Sequence, residues 1–221
     1  MDSAANVPQS RTGFGRARIA VTLAVAAVAG VLLGVVGHLV SAPARHGLAL
    51  PELHGEATWA AGTRPAPNFT LRDQSGRLFS LASLRGHTVA LAFLDSHCTQ
   101  ECPLAGRALA RAEATLPAAQ RPVLVAVSVN PADTPASVRA ATKEWGLAGL
   151  GAWHWVMADT ERLSPVWGAY HIYVHPTKAD IVHTQALYLI DRRGFERSGY
   201  LWPYLPNFVA LDLRTLAGEH T

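Results

Sequence analysis

Two cysteines four positions apart, Cys98 and Cys102, have the type and spacing that point most directly to chemistry in this chain. They lie in the segment DSHCTQECP, and Pro103 leads from them into an alanine-rich segment that is typical of a helix. Unpaired backbone N–H groups and the helix dipole at such a position favour a thiolate over a thiol. The pair can therefore form a reversible disulfide or bind a soft metal ion.

A permanent structural disulfide is the alternative interpretation of the same spacing. It would close a loop of only a few residues, and in the chain-entropy model so small a loop gives little stabilisation. We therefore expect a reactive role for the two sulfurs.

The elements that must position these sulfurs follow from hydrophobic patterning. Three apolar runs, TVALAFLD, PVLVAVSVN and QALYLID, predict strands that are buried on both faces. Two further segments, residues 68–81 and 186–201, predict β-hairpins around DQSG and RRG. The fold class is therefore α/β, a sandwich with a central, mostly parallel sheet, flanking helices and an N-terminal β-hairpin.

Helical patterns separate the predicted strands. Thr134 and Pro135 predict an N-cap and a first-turn proline for a helix that runs to about Trp145. A later apolar stripe predicts a helix that begins at Pro165 with Ser164 as its cap, while Asp159 is expected to cap a helix. A strand that leads into two cysteines at the start of a helix is the thioredoxin-like arrangement.

His183 is the histidine whose position could complete a metal site. It precedes the apolar strand ALYLI, and in a thioredoxin-like fold that approach packs against the cysteine turn. Two thiolates and one imidazole suit Cu(I) and, with rearrangement, Cu(II), whereas zinc could use the same three ligands plus water. The alternative is a histidine that merely caps the strand. His97, His171 and His175 are expected to be exposed neighbours rather than ligands.

The N-terminal part of the chain predicts a membrane anchor. Residues 19–40 contain no Asp, Glu, Lys or Arg, and three arginines precede them, so residues 1–18 are expected in the cytoplasm and the rest outside. A cleaved signal peptide is the alternative. Residues 41–64 are rich in Ala, Pro, Gly and His and predict a tether, which leaves residues 65–221 as the domain.

Net charge gives no support for a nucleic-acid partner. The formal charge of +3 and the pI near 9.1 depend largely on the arginines before residue 19. No later block combines Lys or Arg with aromatic residues, which is the pattern that nucleic-acid binding favours.

Three segments, CTQECP, HTQALYLIDRRG and WHWVMADTERLSPVWGAYHIYV, together resemble the SCO/SenC family of membrane-anchored, thioredoxin-like copper proteins. The likeness covers about residues 65–201 and implies that Cys98, Cys102 and His183 bind one copper ion, as Cu(I) or Cu(II). The family usually has proline, aspartate and glycine where this chain has Thr99, Glu101 and His171.

The resemblance also implies a function and its partners. Proteins similar to this one deliver copper to, or reduce the cysteines of, the dinuclear copper centre of cytochrome c oxidase subunit II. The expected partners are that subunit or another copper acceptor, a thiol reductant protein, and the membrane. A thiol–disulfide oxidoreductase and a copper or redox sensor remain alternative functions, and apart from thiol–disulfide exchange no classical enzyme activity is expected.

Overall fold

The computed structural model describes residues 53–178 and 180–219. The cytoplasmic tail (1–18), the transmembrane helix (19–40) and the tether up to residue 52, all expected from the sequence, lie outside the described residues. None of the helices in the described part of the chain has the length and apolar character needed to span a membrane.

In residues 53–178 and 180–219, ten strands form one central sheet and two separate hairpins. In chain order they are β1 (Ala57–Thr58), β2 (Thr70–Arg72), β3 (Leu78–Ser80), β4 (Val89–Leu94), β5 (Val123–Ser128), β6 (Trp153–Val156), β7 (Val174–Pro176), β8 (Ile181–His183), β9 (Ala186–Ile190) and β10 (Glu196–Leu201). The central sheet has the order β1-β10-β9-β4-β5-β6, while β2–β3 and β7–β8 form two separate two-stranded sheets.

The expectation of a mostly parallel sheet is wrong, because the sheet is mixed. Strands β4, β5 and β6 are parallel neighbours, but β9 runs antiparallel to β4, and β10 and β1 continue the antiparallel half. β9 is the strand of the predicted β9–β10 hairpin that lies beside β4, and this placement makes it antiparallel to β4. The hairpin itself turns at Gly194 with a φ of +86°. So short a connection can only join antiparallel strands.

In the part of the chain that the structure describes, four α-helices cover the sheet: α1 (Glu101–Ala114), α2 (Pro135–Glu144), α3 (Thr160–Ala169) and α4 (Pro206–Gly218). Thr134 caps α2 as predicted, and its hydroxyl accepts a hydrogen bond from the backbone N–H of Ser137. The predicted start of α3 at Pro165 is wrong, because the carboxylate of Asp159 already accepts the N–H of Arg162 at 3.0 Å and begins the helix earlier. The expected capping role of Asp159 is thereby confirmed.

Apolar side chains form one core on each side of the sheet. Along β4 they alternate, so that Ala90, Ala92 and Leu94 pack on the side of α1, α2 and α4. Val89, Leu91 and Phe93 pack on the opposite side, with α3 and the β2–β3 hairpin. The β2–β3 hairpin is the predicted N-terminal hairpin.

Regular structure begins earlier than Asn68, where the sequence pattern places it. Within the segment 41–64, β1 pairs with the edge of β10. The side chain of His54 also contacts α4, since its Nδ1 lies 2.7 Å from Oδ1 of the buried Asp212. A two-residue strand leaves no alternating pattern from which it could have been predicted.

Candidate metal centre

The cysteine turn connects the buried strand β4 to α1. The chain leaves β4 at Leu94, and the N–H of Cys98 donates to the carbonyl of Asp95 at 3.3 Å. Cys102 is the second residue of α1 and is fully buried, whereas Cys98 precedes the helix and is half-buried. The two cysteines form no disulfide with each other. The sulfur of Cys98 is accessible from outside, whereas the sulfur of Cys102 is covered by the core.

Hydrogen bonding makes the two sulfurs chemically different. A hydrogen bond from the Cys102 thiol, assisted by backbone N–H groups at the start of α1, lowers the pKa of Cys98 to about 6 in spite of partial burial. The N–H of Cys102 lies 3.5 Å from Sγ of Cys98. The same side-chain hydrogen bond, together with burial, raises the pKa of Cys102 far above its usual value. At neutral pH the pair therefore holds one proton, with Cys98 as thiolate and Cys102 as thiol.

His183 ends β8 and contacts the buried sulfur. Its Nε2 lies 3.6 Å from Sγ of Cys102, and its Nδ1 lies 3.1 Å from the carbonyl oxygen of Thr184. A carbonyl can only accept, so Nδ1 carries the proton and Nε2 presents its lone pair to the sulfur. Burial lowers the pKa of His183, which keeps the ring neutral at pH 7.

The geometry fits a two-ligand pair more closely than a complete three-ligand site. A sulfur about 2.3 Å and a nitrogen about 2.0 Å from one metal ion are about 3.6 Å apart when the angle at the ion is near 110°. The distance of 3.6 Å between Sγ of Cys102 and Nε2 of His183 matches this separation. The three donor atoms of Cys98, Cys102 and His183 do not all lie within 4.8 Å of one another. Binding by all three therefore requires a side-chain rotation that brings the donor atoms closer together.

The β7–β8 hairpin, which positions His183, was not predicted from the sequence. Backbone pairing continues beyond it, because the N–H of Thr184 donates to the carbonyl of Tyr173 at 2.9 Å. The amide of Gln185 then donates to Oε2 of Glu101 at 2.8 Å and links this segment to the first turn of α1. His183 thus lies at the end of β8, a strand that the sequence pattern did not indicate.

A second polar cluster surrounds His97. Its Nδ1 lies 3.2 Å from Oδ1 of Asp133 and 3.6 Å from Oδ1 of Asp95, and these three side chains have donor atoms within 4.8 Å of one another. The His97 side chain is 47% exposed, as expected, while both carboxylates are buried. The ring is therefore oriented by the carboxylates and not by the cysteines.

His171 and His175 are exposed, in agreement with the expectation from the sequence. His175 is exposed and stacks on Tyr173, with ring centroids 6.1 Å apart. His171 is exposed and lines a different cavity, which also includes Trp59 and Arg64. The tryptophans of the adjoining segment have a packing role, since Trp155 and Trp167 are buried and their indole N–H groups donate to Ser128.

The family model described as SCO1/SenC matches residues 59–216. Among solved structures, copper-bound ScoI of Bradyrhizobium japonicum is 25% identical, with a TM-score of 0.57 over 69% of this chain and 99% of that chain. No curated protein sequence matches the chain at a significant level.

Two more distant structures show the same fold. A SCO1/SenC family lipoprotein from Bacillus anthracis is 20% identical, with a TM-score of 0.60 over 73% of this chain and 99% of that chain. BsSco is 17% identical, with a TM-score of 0.61 over 75% of this chain and 100% of that chain. It is described as a member of the Sco family of cytochrome c oxidase assembly proteins with a disulfide switch. These likenesses confirm the expected thioredoxin-like α/β fold.

Proposed function

Because this chain belongs to the SCO1/SenC family, we propose that it is a metallochaperone that carries one copper ion on Cys98, Cys102 and His183. The observation that carries the proposal is the contact between the neutral Nε2 of His183 and the sulfur of Cys102 at 3.6 Å. A half-buried thiolate, a second sulfur and an imidazole form a soft donor set, which Cu(I) favours. The copper-bound relative at 25% identity supports this choice of cargo.

The acceptor that we propose is the dinuclear copper centre of cytochrome c oxidase subunit II, or another copper acceptor of similar chemistry. The relationship to BsSco, a member of a family of cytochrome c oxidase assembly proteins, supports this destination. Copper would leave by ligand exchange through the more exposed Cys98. The chain could equally prepare the acceptor's cysteines by reducing them.

We further propose that oxidation controls copper binding. When the pair passes two electrons to an acceptor disulfide, the Cys98 thiolate and the Cys102 thiol form a disulfide and release the one proton that they hold. Neither sulfur can then bind copper as a thiolate, so the copper site is lost. A thiol reductant protein would restore the reduced pair. The pair is suited to such a cycle because one sulfur is accessible and the thiol of the other donates a hydrogen bond to it.

The proposed location is the extracytoplasmic face of a membrane, with residues 19–40 as a single helical anchor. The proposed tether is shorter than the expected segment 41–64 and ends before His54, because His54 and β1 already belong to the domain. The lack of charged side chains over residues 19–40 supports the anchor. The Bacillus anthracis relative, named a lipoprotein, supports attachment to a membrane by some means. No nucleic-acid partner is proposed.

The proposal is tested by copper stoichiometry of the reduced full-length protein, purified in detergent under anaerobic conditions. We expect one Cu(I) per wild-type chain and none in the Cys98→Ser/Cys102→Ser double variant. Equal copper content in the two proteins would contradict the proposal.

A thiol–disulfide oxidoreductase is the second candidate, because the pKa of Cys98 is lowered to about 6, as in enzymes that use a reactive thiolate. Reduction of insulin disulfides separates the two functions. Strong insulin reduction that persists in His183→Ala, together with weak copper binding, would favour the oxidoreductase.

A further inference from the structure

A cavity of about 330 Å³ lies beside Cys98, between α1 and α2. Cys98, Thr99 and His97 line one part of it, while Arg107 of α1 and Glu144 of α2 also line it. Cys102 and His183 do not line this cavity, so Cys98 is the one proposed copper ligand that it adjoins. Its volume lies within the range of small-molecule sites.

Two opposite charges line the cavity and are available to a ligand. Nη1 of Arg107 and Oε1 of Glu144 are 4.0 Å apart, and their side chains are 42% and 71% exposed. An ion pair this long and this exposed contributes little to stability. Arg107 can therefore exchange its partner for a ligand's carboxylate, and Glu144 can do the same for a ligand's ammonium group.

Fixed polar groups line the cavity near Cys98. The Ser96 hydroxyl donates to Asp133, and Oγ of Ser137 lies 2.7 Å from Oγ of Ser96. Asp133 also orients the ring of His97 through Nδ1, at 3.2 Å. Because these side chains are held by one another, a polar group placed next to the Cys98 sulfur meets partners that are already ordered.

The spacing along α1 sets the size of the ligand. Pro103 and Arg107 both line the cavity and lie one helical turn apart, which is a rise of about 6 Å along the axis. A molecule whose sulfur reaches Cys98 while its carboxylate reaches Arg107 must therefore carry its charges several bonds from the sulfur. A thiol the size of a tripeptide meets this condition, whereas 2-mercaptoethanol carries no charge for Arg107 or Glu144.

We propose that this cavity binds a small zwitterionic thiol of tripeptide size and directs its sulfur to Cys98. The inference rests on the reversible disulfide of the proposed function. In the oxidised chain the ligand thiolate attacks Sγ of Cys98, the Cys98–Cys102 bond breaks, and Cys102 leaves with the electron pair and takes up a proton. A second thiolate then attacks the ligand sulfur of the mixed disulfide. Cys98 is released as thiolate, two ligand thiols have become one disulfide, and the protein disulfide is reduced.

The test compares two reductants on the oxidised full-length protein. Glutathione carries the required charges, whereas 2-mercaptoethanol is uncharged and controls for the intrinsic reactivity of the disulfide. For the wild type we expect the glutathione rate to saturate with concentration. Arg107→Ala should lower the glutathione rate at limiting concentration by about tenfold and leave the mercaptoethanol rate within about twofold, because one charged hydrogen bond is lost.

The matched control is Arg111→Ala, which removes the same charge one turn farther along α1, from an exposed position that does not line the cavity. It should change neither rate. A glutathione rate that is linear in concentration, or that Arg107→Ala leaves unchanged or lowers only as much as the mercaptoethanol rate, would overturn the proposal.

This outcome is independent of copper binding. Arg107 is not among the proposed ligands, so Arg107→Ala should bind one Cu(I) like the wild type. Failure of the wild type to bind copper would refute the metallochaperone function while leaving the reduction rates as evidence on the cavity.

Discussion

Nε2 of His183 lies 3.6 Å from Sγ of Cys102, although 81 residues separate them along the chain. The contact depends on the hydrogen bond that Nδ1 donates to the Thr184 carbonyl, since that bond fixes which ring nitrogen carries the proton. Burial also lowers the pKa of the His183 ring and leaves the ring neutral. The imidazole is therefore prepared to donate a lone pair without first losing a proton.

Replacing His183 should weaken copper binding while leaving both sulfurs in place. We expect His183→Ala to lower Cu(I) affinity by at least about tenfold, because one of three donors is lost and each 1.4 kcal/mol changes affinity tenfold. Competition with a chromophoric Cu(I) chelator measures the change. His175→Ala, an exposed histidine on the same hairpin, is the matched control and should keep wild-type affinity. Equal losses in the two variants would argue against a ligand role for His183.

The two cysteines should differ in reactivity and in its pH dependence. Alkylation of Cys98 should follow a titration with a midpoint near pH 6, because the thiol of Cys102 donates a hydrogen bond to its thiolate and so lowers the Cys98 pKa. The rate should fall below that pH as Cys98 is protonated, and Cys102 should remain unreactive because it is buried. Mass spectrometry after timed alkylation with iodoacetamide measures both residues.

Removing the Cys102 thiol, which donates the hydrogen bond, should raise the Cys98 pKa again. In Cys102→Ala the Cys98 midpoint is expected to rise towards the ordinary thiol value of about 8.5, whereas Cys102→Ser keeps a hydroxyl donor and should retain part of the shift. If the midpoint is the same in Cys102→Ala as in the wild type, the hydrogen bond is not its cause.

Glu113 should make the stability of the protein depend on pH. Burial raises its pKa to about 7, an effect that Arg121 only partly offsets, and within the described residues its Oε1 has no hydrogen-bond partner. Since the folded state holds this proton more tightly than the unfolded state, the carboxyl destabilises the fold as pH rises from about 4.5 to about 7. Glu113→Gln should therefore gain about 2–3 kcal/mol relative to the wild type between pH 5 and pH 8.

Urea denaturation at the two pH values measures this difference. Glu161→Gln, an exposed glutamate in the first turn of α3, serves as the control and should show no comparable gain. A gain for Glu113→Gln that is the same at pH 5 and pH 8 would exclude titration of Glu113 as its source.

Asp212 should hold the segment around His54 on the domain. Its buried carboxylate accepts hydrogen bonds from the hydroxyls of Ser198 and Tyr200, at 2.7 and 2.6 Å, and also contacts Nδ1 of His54. Asp212→Ala leaves these donors without an acceptor, so we expect a loss of roughly 2–4 kcal/mol in unfolding free energy. Limited proteolysis should also show faster cleavage near His54. Unchanged stability and cleavage, as expected for the exposed Glu161→Ala, would contradict this role.

Much of the site could be predicted because it is local in sequence. The spacing of Cys98 and Cys102 and the apolar strand before them fix the cysteine turn, and the strand ALYLI after His183 fixes the histidine's place at the sheet. The cap at Thr134 was also predictable, because a capping residue acts on the backbone only three residues away.

What could not be predicted depends on contacts between distant or very short elements. Ile181–His183 is too short and too mixed in polarity to show a strand period, so the β7–β8 hairpin was missed. The antiparallel half of the sheet follows from where the β9–β10 hairpin docks beside β4, which apolar runs do not encode. The Asp95–His97–Asp133 cluster joins side chains from two loops, and no spacing rule indicates it.

X-ray absorption spectroscopy of the Cu(I)-loaded, reduced full-length protein tests the central claim most directly. The account predicts two sulfur ligands and one imidazole nitrogen in the wild type, and loss of the nitrogen shell in His183→Ala with both sulfurs retained. A spectrum with sulfur ligands alone that His183→Ala leaves unchanged would contradict it.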